Sequence, residues 1–329
     1  MENILKPYLA SFLHSRAHHL KYILPKNGKA FVKRDDELGF AISGSKLRKY
    51  QSLLPEMLKN NIKHAVMIGG AYSNNLLGLS QLLIENNISP HLMVRGEKAI
   101  KLVGNLLLLS VLVPPNQIKF IARKDWHQVD NIAKNHSKSL SQSMVIPEGA
   151  DMVESLPGAL TLALDILENE KQLNLSFDHI FIEAGTGFTA IALILGLAKV
   201  NNLRNIHILL LADTKEIFIK KLCFYYENST NLFNTPLQFE KIISSIQFYM
   251  PGTAKSFGAT NATIFKCITD IARSDGFFTD PIYSAKLFYN AKNVVEKNNL
   301  QGNVLVVHSG GGLALMGYQE HLLRAINSI

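Results

Sequence analysis

Apolar and polar positions along this 329-residue chain alternate between two rhythms. Short runs rich in β-branched residues recur at AFVK (30–33), HAVMIG (64–69), HLMVR (91–95), IKFIA (118–122) and SMVIP (143–147). They continue at HIFIEAG (179–185), HILLLA (207–212), IQFYM (246–250) and VLVVHSG (304–310). Most give way to apolar residues at helical spacing, as in NLLGLSQLLIEN, TAIALILGLAKV, FKCITDIARSDG and AKLFYNAKNVVEKN. Strands apolar on both faces belong to buried parallel sheets, so the pattern predicts an α/β protein with helices on both sheet faces. A long helix over 152–172 separates an earlier set of strands from a later one. The polar stretch YENSTNLFNTPLQ (226–238) reads as a loop.

Composition narrows the function classes. A hydrophobic content of 47% supports a packed core, and the net charge is +8. The basic residues are scattered, without a run of five, which argues against nucleic acid and for a site that takes a small anion. Cys223 and Cys267 make no C-x-x-C pair, so a zinc ribbon and a dithiol redox motif are excluded. The start, MENILKPYLASFLHSRAHHLKY, lacks the basic-then-apolar order of a signal peptide. The most apolar short run, Leu106–Val113, falls far below the roughly 20 residues of a membrane helix. A soluble, cytoplasmic protein without membrane partners is expected.

Three strand ends carry candidate chemistry. HIFIEAGTGFT ends in Gly185-Thr186-Gly187-Phe188-Thr189 and runs straight into an apolar helix. Free amides at that helix start, opened by glycines, suit a phosphate, although an ordinary strand–helix turn has the same appearance. HAVMIGGAYSNNLLGL places Ser73-Asn74-Asn75 at a helix start, as a plain N-cap or as a seat for a substrate carboxylate. VLVVHSGGG ends in Ser309 and three glycines. Open α/β sheets bind ligands at the carboxyl ends of their strands, and all three segments lie there.

The stretch SGSKLRKY (43–50) admits two chemical readings beside a charged helix start. Ser43 and Lys46 fit S-x-x-K, with Ser73-Asn74-Asn75 as S-x-N and His308-Ser309-Gly310 as the third element of a serine acyl-transfer enzyme. The strand–helix alternation does not suit that fold. Alternatively, Lys46 and Lys49 share a helix face, one free to attack an aldehyde and the other to neutralise a phosphate. A phosphate-bearing aldehyde cofactor is pyridoxal 5′-phosphate.

The motifs FVKRDDELGFAISGSKLRKY, IGGAYSNN, IPEGA, EAGTGFT, TDPIYSAK and VVHSGGG occur in an order that resembles the 1-aminocyclopropane-1-carboxylate deaminase/D-cysteine desulfhydrase family. The likeness runs from about residue 30 to the C-terminus. It implies the tryptophan-synthase-β-like fold of fold-type II pyridoxal-phosphate enzymes: two open, twisted, mostly parallel sheets with the cofactor in the cleft between two domains. Residues 1–48 and 151–329 would form the larger, cofactor-binding domain and 49–150 the smaller, substrate-side one. A homodimer is implied by the family alone.

By this resemblance Lys46 carries the cofactor, Lys49 lies by its phosphate, and the loop 185–189 binds that phosphate. Asn74 would bond the phenolic oxygen, Ser73 would move a proton or bind substrate, and Tyr283 would join Lys46 and Ser73 as a catalytic residue, lining the substrate side with Tyr72, Asn74, Asn75 and Phe257. Several positions depart from the family pattern. GGNK is SGSK here, the residues flanking Ser73-Asn74 are Tyr72 and Asn75, and a usual glycine is Phe188. A frequent tyrosine is Phe257, and the acid following Tyr283 in cyclopropane deaminases is Ser284.

The expected activity is a lyase acting on a small amino acid, with D-cysteine-like β-elimination ahead of cyclopropane ring opening or a silent cofactor-binding protein. Were the hydroxyl of Ser309 to face the pyridine nitrogen, that nitrogen need not be protonated, and the weaker electron sink would favour rapid elimination.

Remaining features read as structural. His14, His18 and His19 belong to a solvated N-terminal helix face rather than a metal site, and no metal is expected. Asp35-Asp36 reads as a strand-end turn, both cysteines as core thiols, and Asp280-Pro281 as the shaper of the loop presenting Tyr283.

Overall fold

The computed structural model describes residues 13–39, 44–97, 102–229 and 238–327. Its strands are β1 (Ala17–His19), β2 (Ala30–Lys33), β3 (His64–Gly70), β4 (Ser89–Arg95), β5 (Ile118–Ile121), β6 (Ser143–Ile146), β7 (His179–Ala184), β8 (Asn205–Leu210), β9 (Ile246–Tyr249) and β10 (Val304–Val307). The helices begin with α1 (Lys46–Lys59), α2 (Asn74–Glu85), α3 (Gly104–Leu112), α4 (Val129–Lys138), α5 (Leu156–Leu173) and α6 (Phe188–Lys199). They continue with α7 (Lys215–Ser229), α8 (Phe239–Ser244), α9 (Ala262–Asp275), α10 (Ser284–Lys297) and α11 (Gln319–Asn327).

Every apolar run that predicts a strand forms one. β1 was not foreseen: His18 and His19 lie on this edge strand, antiparallel to β2, and not on a helix. His14 precedes it and bonds the carboxylate of Asp165 at 3.1 Å. The stretch 226–238 opens inside α7, which runs to Ser229, and residues 230–237 lie outside the described ones. Cys267 is buried on α9, whereas Cys223 is only half-buried on α7, its thiol against Glu227. Among the described residues no helix is long and apolar enough to cross a membrane, and no group of three or more His, Cys, Asp or Glu is placed to hold a metal.

The strands form two sheets. One has the order β1-β2-β10-β7-β8-β9, parallel except at β1; the other, β5-β4-β3-β6, is parallel throughout. In the first, the chain steps outward from β7 to β8 to β9, then returns to the opposite side of β7 as β10. In the second it steps from β3 to β4 to β5 and returns to the other side of β3 as β6. Each sheet therefore has a switch point where its strand order reverses, and a crevice opens at the carboxyl ends there.

Packing follows the apolar pattern. In α6 nearly every residue is buried, because the helix is apolar all round and is wrapped by its sheet, α5 and α7. On the smaller sheet, Tyr50, Leu53 and Met57 of α1 pack with Leu76, Leu79 and Leu83 of α2.

Between β2, α1 and α5 lies a set of wholly buried charges. The guanidinium of Arg48 donates to Asp35 at 2.7 and 2.8 Å and to Asp165 at 2.5 Å. Lys33 donates to Asp165, to the Ser15 carbonyl and to Asn169. Two cations thus meet two carboxylates; Ser15 donates its amide to Asp165 and its hydroxyl to Asp35, and Asn169 accepts from Lys33. Asp35 belongs to this structural set, while Asp36 pairs with Arg34 at 2.8 Å. Removing one partner leaves a buried cation uncompensated, so Asp165→Asn is expected to destabilise the fold by about 3–5 kcal/mol. Urea unfolding of the two proteins checks this, and a loss well under 1 kcal/mol would contradict it.

Candidate functional site

The two crevices open into one cleft of ≈1830 Å³. From the smaller sheet, β3 delivers Tyr72, Ser73 and Asn74, and β6 delivers Pro147, Glu148 and Gly149. From the larger, β7 delivers Glu183 and residues 185–189, and β10 delivers Ser309. Lys46 and Lys49 of α1 border the same space, as do Phe257 and Tyr283.

Lys46 owes its place to Gly44. At φ +56° this residue lies so close to the end of β10 that a Cβ would sit 2.1 Å from the Ser309 carbonyl. The same carbonyl accepts the amide of Ser45 at 2.9 Å, clamping the start of α1 against β10. Burial pushes the Lys46 amine below its ordinary range, and Glu183 and Asp280 pull it partly back. Burial, then, and not a neighbouring cation, frees this amine. Lys49 is the one that feels its neighbour: burial and the charge of Lys46 push it down to about 7, against the pull of Asp151. Its ammonium donates to the Gly149 carbonyl at 3.0 Å and lies 4.7 Å from the Phe188 ring centroid.

At the end of β7, Gly187 adopts φ +84° and caps α6. The first-turn amides of a helix have no intrahelical acceptor, so they are available to an anion. Phe188 does not obstruct them, because its side chain turns wholly into the core against Tyr225. Lys221 braces the loop by donating to the Thr186 carbonyl at 2.9 Å.

Ser73 caps α2, its hydroxyl accepting the Leu76 amide at 3.2 Å and keeping its proton to donate. Asn74 Oδ1 accepts from Asn105 at 2.7 Å, which leaves Nδ2 as the donating end of that side chain. The Asn105 amide also donates to the Tyr72 carbonyl at 3.1 Å. Asn75 borders the cleft but is nearly buried, and its Oδ1 accepts the Tyr50 hydroxyl at 3.0 Å. Tyr72 is half-exposed at the mouth.

On the facing wall, the Asp280 carboxylate accepts the amides of Ile282, Tyr283 and Ser284 at 2.8–2.9 Å and so folds the loop that presents Tyr283. Burial pushes the Tyr283 phenol up, and Phe257 meets its ring edge-on at 5.9 Å. Ser284 is wholly buried, its hydroxyl spent on Asp280, and does not reach the cleft. Ser43 lies outside the described residues. His308 is wholly buried with Nε2 on the Phe278 carbonyl, so the segment expected to mimic a K-T-G strand turns this side chain away from the cleft.

Two contributors escaped the sequence reading. Asn105 carries no motif. Glu183 was visible as a carboxylate inside the apolar run HIFIEAG; Ser309 donates its hydroxyl to Glu183 Oε1.

Paired parallel sheets sharing one cleft, with a lysine-headed helix between them, are the tryptophan-synthase-β-like architecture of fold-type II enzymes. A crystal structure described as an ACC deaminase homologue superposes with a TM-score of 0.85 at 22% identity, covering 98% of each chain. A 1-aminocyclopropane-1-carboxylate deaminase of Bradyrhizobium sp. is 24% identical over 336 residues, 95% of this chain and 96% of the relative. The mitochondrial bifunctional D-cysteine desulfhydrase/1-aminocyclopropane-1-carboxylate deaminase of Arabidopsis thaliana is 25% identical over 311 residues, 89% of this chain and 74% of the relative. No protein-family model matches the chain. The chain is thus similar, over nearly its whole length, to proteins named 1-aminocyclopropane-1-carboxylate deaminase and D-cysteine desulfhydrase.

Lys49 is charged below pH about 7 and neutral above it. In ligand-free protein, the affinity of the cleft for sulfate should therefore fall as pH rises through that value. Lys49→Met should bind sulfate weakly at every pH. Calorimetric titration across the range checks both, and a flat wild-type profile would count against Lys49 as the anion's partner.

Proposed function

We propose that the protein is a pyridoxal 5′-phosphate-dependent lyase that eliminates a β-leaving group from a small amino acid of the D-cysteine kind. The observation carrying this reading is one amine, Lys46, held in the cleft with its proton affinity lowered, beside an anion site built from Lys49 and the start of α6. The donor set fits the cofactor chemically. Lys46 Nζ matches an aldehyde, Lys49 and the amides of 186–189 match a phosphate, and Asn74 Nδ2 matches a phenolic oxygen.

When bound, the cofactor supplies an aldehyde for the substrate amine and a ring that stores the electrons released at Cα. The residues supply the rest. First-turn amides of α2 and the Ser73 hydroxyl hold the substrate carboxylate. Lys46 Nζ would then take the Cα proton, with Ser73 beside the carbon that loses it. Tyr283 and Phe257 wall the side where the leaving group departs. For cysteine the balance is one amino acid and one water giving pyruvate, ammonia and hydrogen sulfide.

Cyclopropane ring opening is the less supported use of this cleft. Phe257 has no proton to give, and the Ser284 hydroxyl points into the Asp280 loop.

Visible spectra of wild type and Lys46→Ala, followed by D-cysteine added to the wild type, test the reading. Only the wild type should be yellow, its band should change with substrate, and pyruvate and sulfide should appear. Lys46→Ala should lose about a thousandfold or more in turnover. A yellow wild type inert to every D- and L-amino acid with a β-leaving group would make it a silent cofactor binder. Two colourless proteins, even after cofactor is added, would overturn the cofactor itself.

A further inference from the structure

Glu183 sits at the end of β7, at the switch point of the larger sheet, and is 8% exposed. Its Oε1 accepts the hydroxyl of Ser309, across the crevice on the β10 side. Its Oε2 is buried and, among the described residues, has no hydrogen-bond partner. A buried carboxylate oxygen without a donor is costly, so its partner belongs to whatever fills the cleft. Protein candidates for that donor are few. Asp280 only accepts, and its carboxylate is already held by three amides and the Ser284 hydroxyl. Lys46 is the nearby cation, but its amine is committed to the aldehyde.

Cofactor chemistry then narrows the donor. In pyridoxal 5′-phosphate the aldehyde, phenolic oxygen and phosphate arm have their protein partners in Lys46, Asn74 and the 186–189 amides with Lys49. What remains is a methyl group and the ring nitrogen, which stands para to the aldehyde carbon. Of the two, only the nitrogen can carry a proton to a carboxylate.

We propose that Glu183, steadied by Ser309, faces the ring nitrogen of the cofactor and keeps that nitrogen protonated; the inference rests on the cofactor reading above. The Ser309 hydroxyl, considered above as a partner for the nitrogen, donates to the carboxylate instead. Burial pushes the Glu183 carboxyl up, as befits an acid whose counter-charge arrives with the ligand. A protonated ring draws electrons more strongly than a neutral one. The α-proton then has time to return before the leaving group departs, which widens the chemistry open to this cleft beyond fast elimination.

Two measurements that need no turnover test the inference. Pyridoxal 5′-phosphate labelled with nitrogen-15 in the ring is loaded into wild type and Glu183→Gln, and its NMR shift is read. The wild-type nitrogen should resonate in the protonated range and that of Glu183→Gln in the unprotonated range. In parallel, both proteins are titrated with the cofactor and with its analogue bearing carbon in place of the ring nitrogen. Wild type should prefer the natural cofactor by about tenfold more than Glu183→Gln does. An unprotonated wild-type nitrogen, or equal preferences in the two proteins, overturns the role of Glu183 while leaving the cofactor reading intact. Should Glu183→Gln not fold, the wild-type shift alone decides. If wild type takes up no pyridoxal phosphate, both readings fall together.

Discussion

Arg48 lies two residues past Lys46 on α1, wholly buried and forked across Asp35 and Asp165. Two residues along a helix turn a side chain through about 200°, so Arg48 and Lys46 look in nearly opposite directions. The fork allows little rotation about the helix axis, since three short hydrogen bonds would have to move together. Locking Arg48 inward therefore aims Lys46, and Lys49 one turn on, at the cleft. Asp165 also takes Lys33 from β2 and is carried by α5, so one carboxylate joins the lysine-bearing helix to the larger sheet. Charge balance within this set lets it remain in a core from which water is excluded.

The second constraint is topological. Each sheet reverses its strand order once, and both reversals open on the same side. Charges of both signs meet there: Lys46 feels the carboxylates of Glu183 and Asp280, and Lys49 feels Lys46 and Asp151.

Much of this was legible in the sequence, and for identifiable reasons. Buried parallel strands declare themselves because both faces are apolar, and AFVK or VLVV has no competing pattern. The strand–helix turns at Ser73 and Gly187 were legible because caps and glycines have local signatures. Edge strand β1 was not: three residues, AHH, gain their conformation from pairing with β2 rather than from any periodicity of their own. Phe188 read as a departure from the family pattern, yet its ring lies in the core, and which way it turns depends on distant Tyr225. Asn75 likewise carries a polar label without revealing that Tyr50, twenty-five residues away, will claim it. Glu183 was visible as a charge in an apolar strand, but its partner lies 126 residues further on.

Asn105 has a consequence of a different kind. A single amide nitrogen at the first turn of α3 serves both the Tyr72 carbonyl and Asn74 Oδ1. Tyr72 stands at the mouth where a substrate enters, and Asn74 stands deeper in the cleft. Two hydrogens on one nitrogen thus tie the backbone of the half-exposed Tyr72 to the side chain of the nearly buried Asn74, so that a change at Asn105 would disturb both at once.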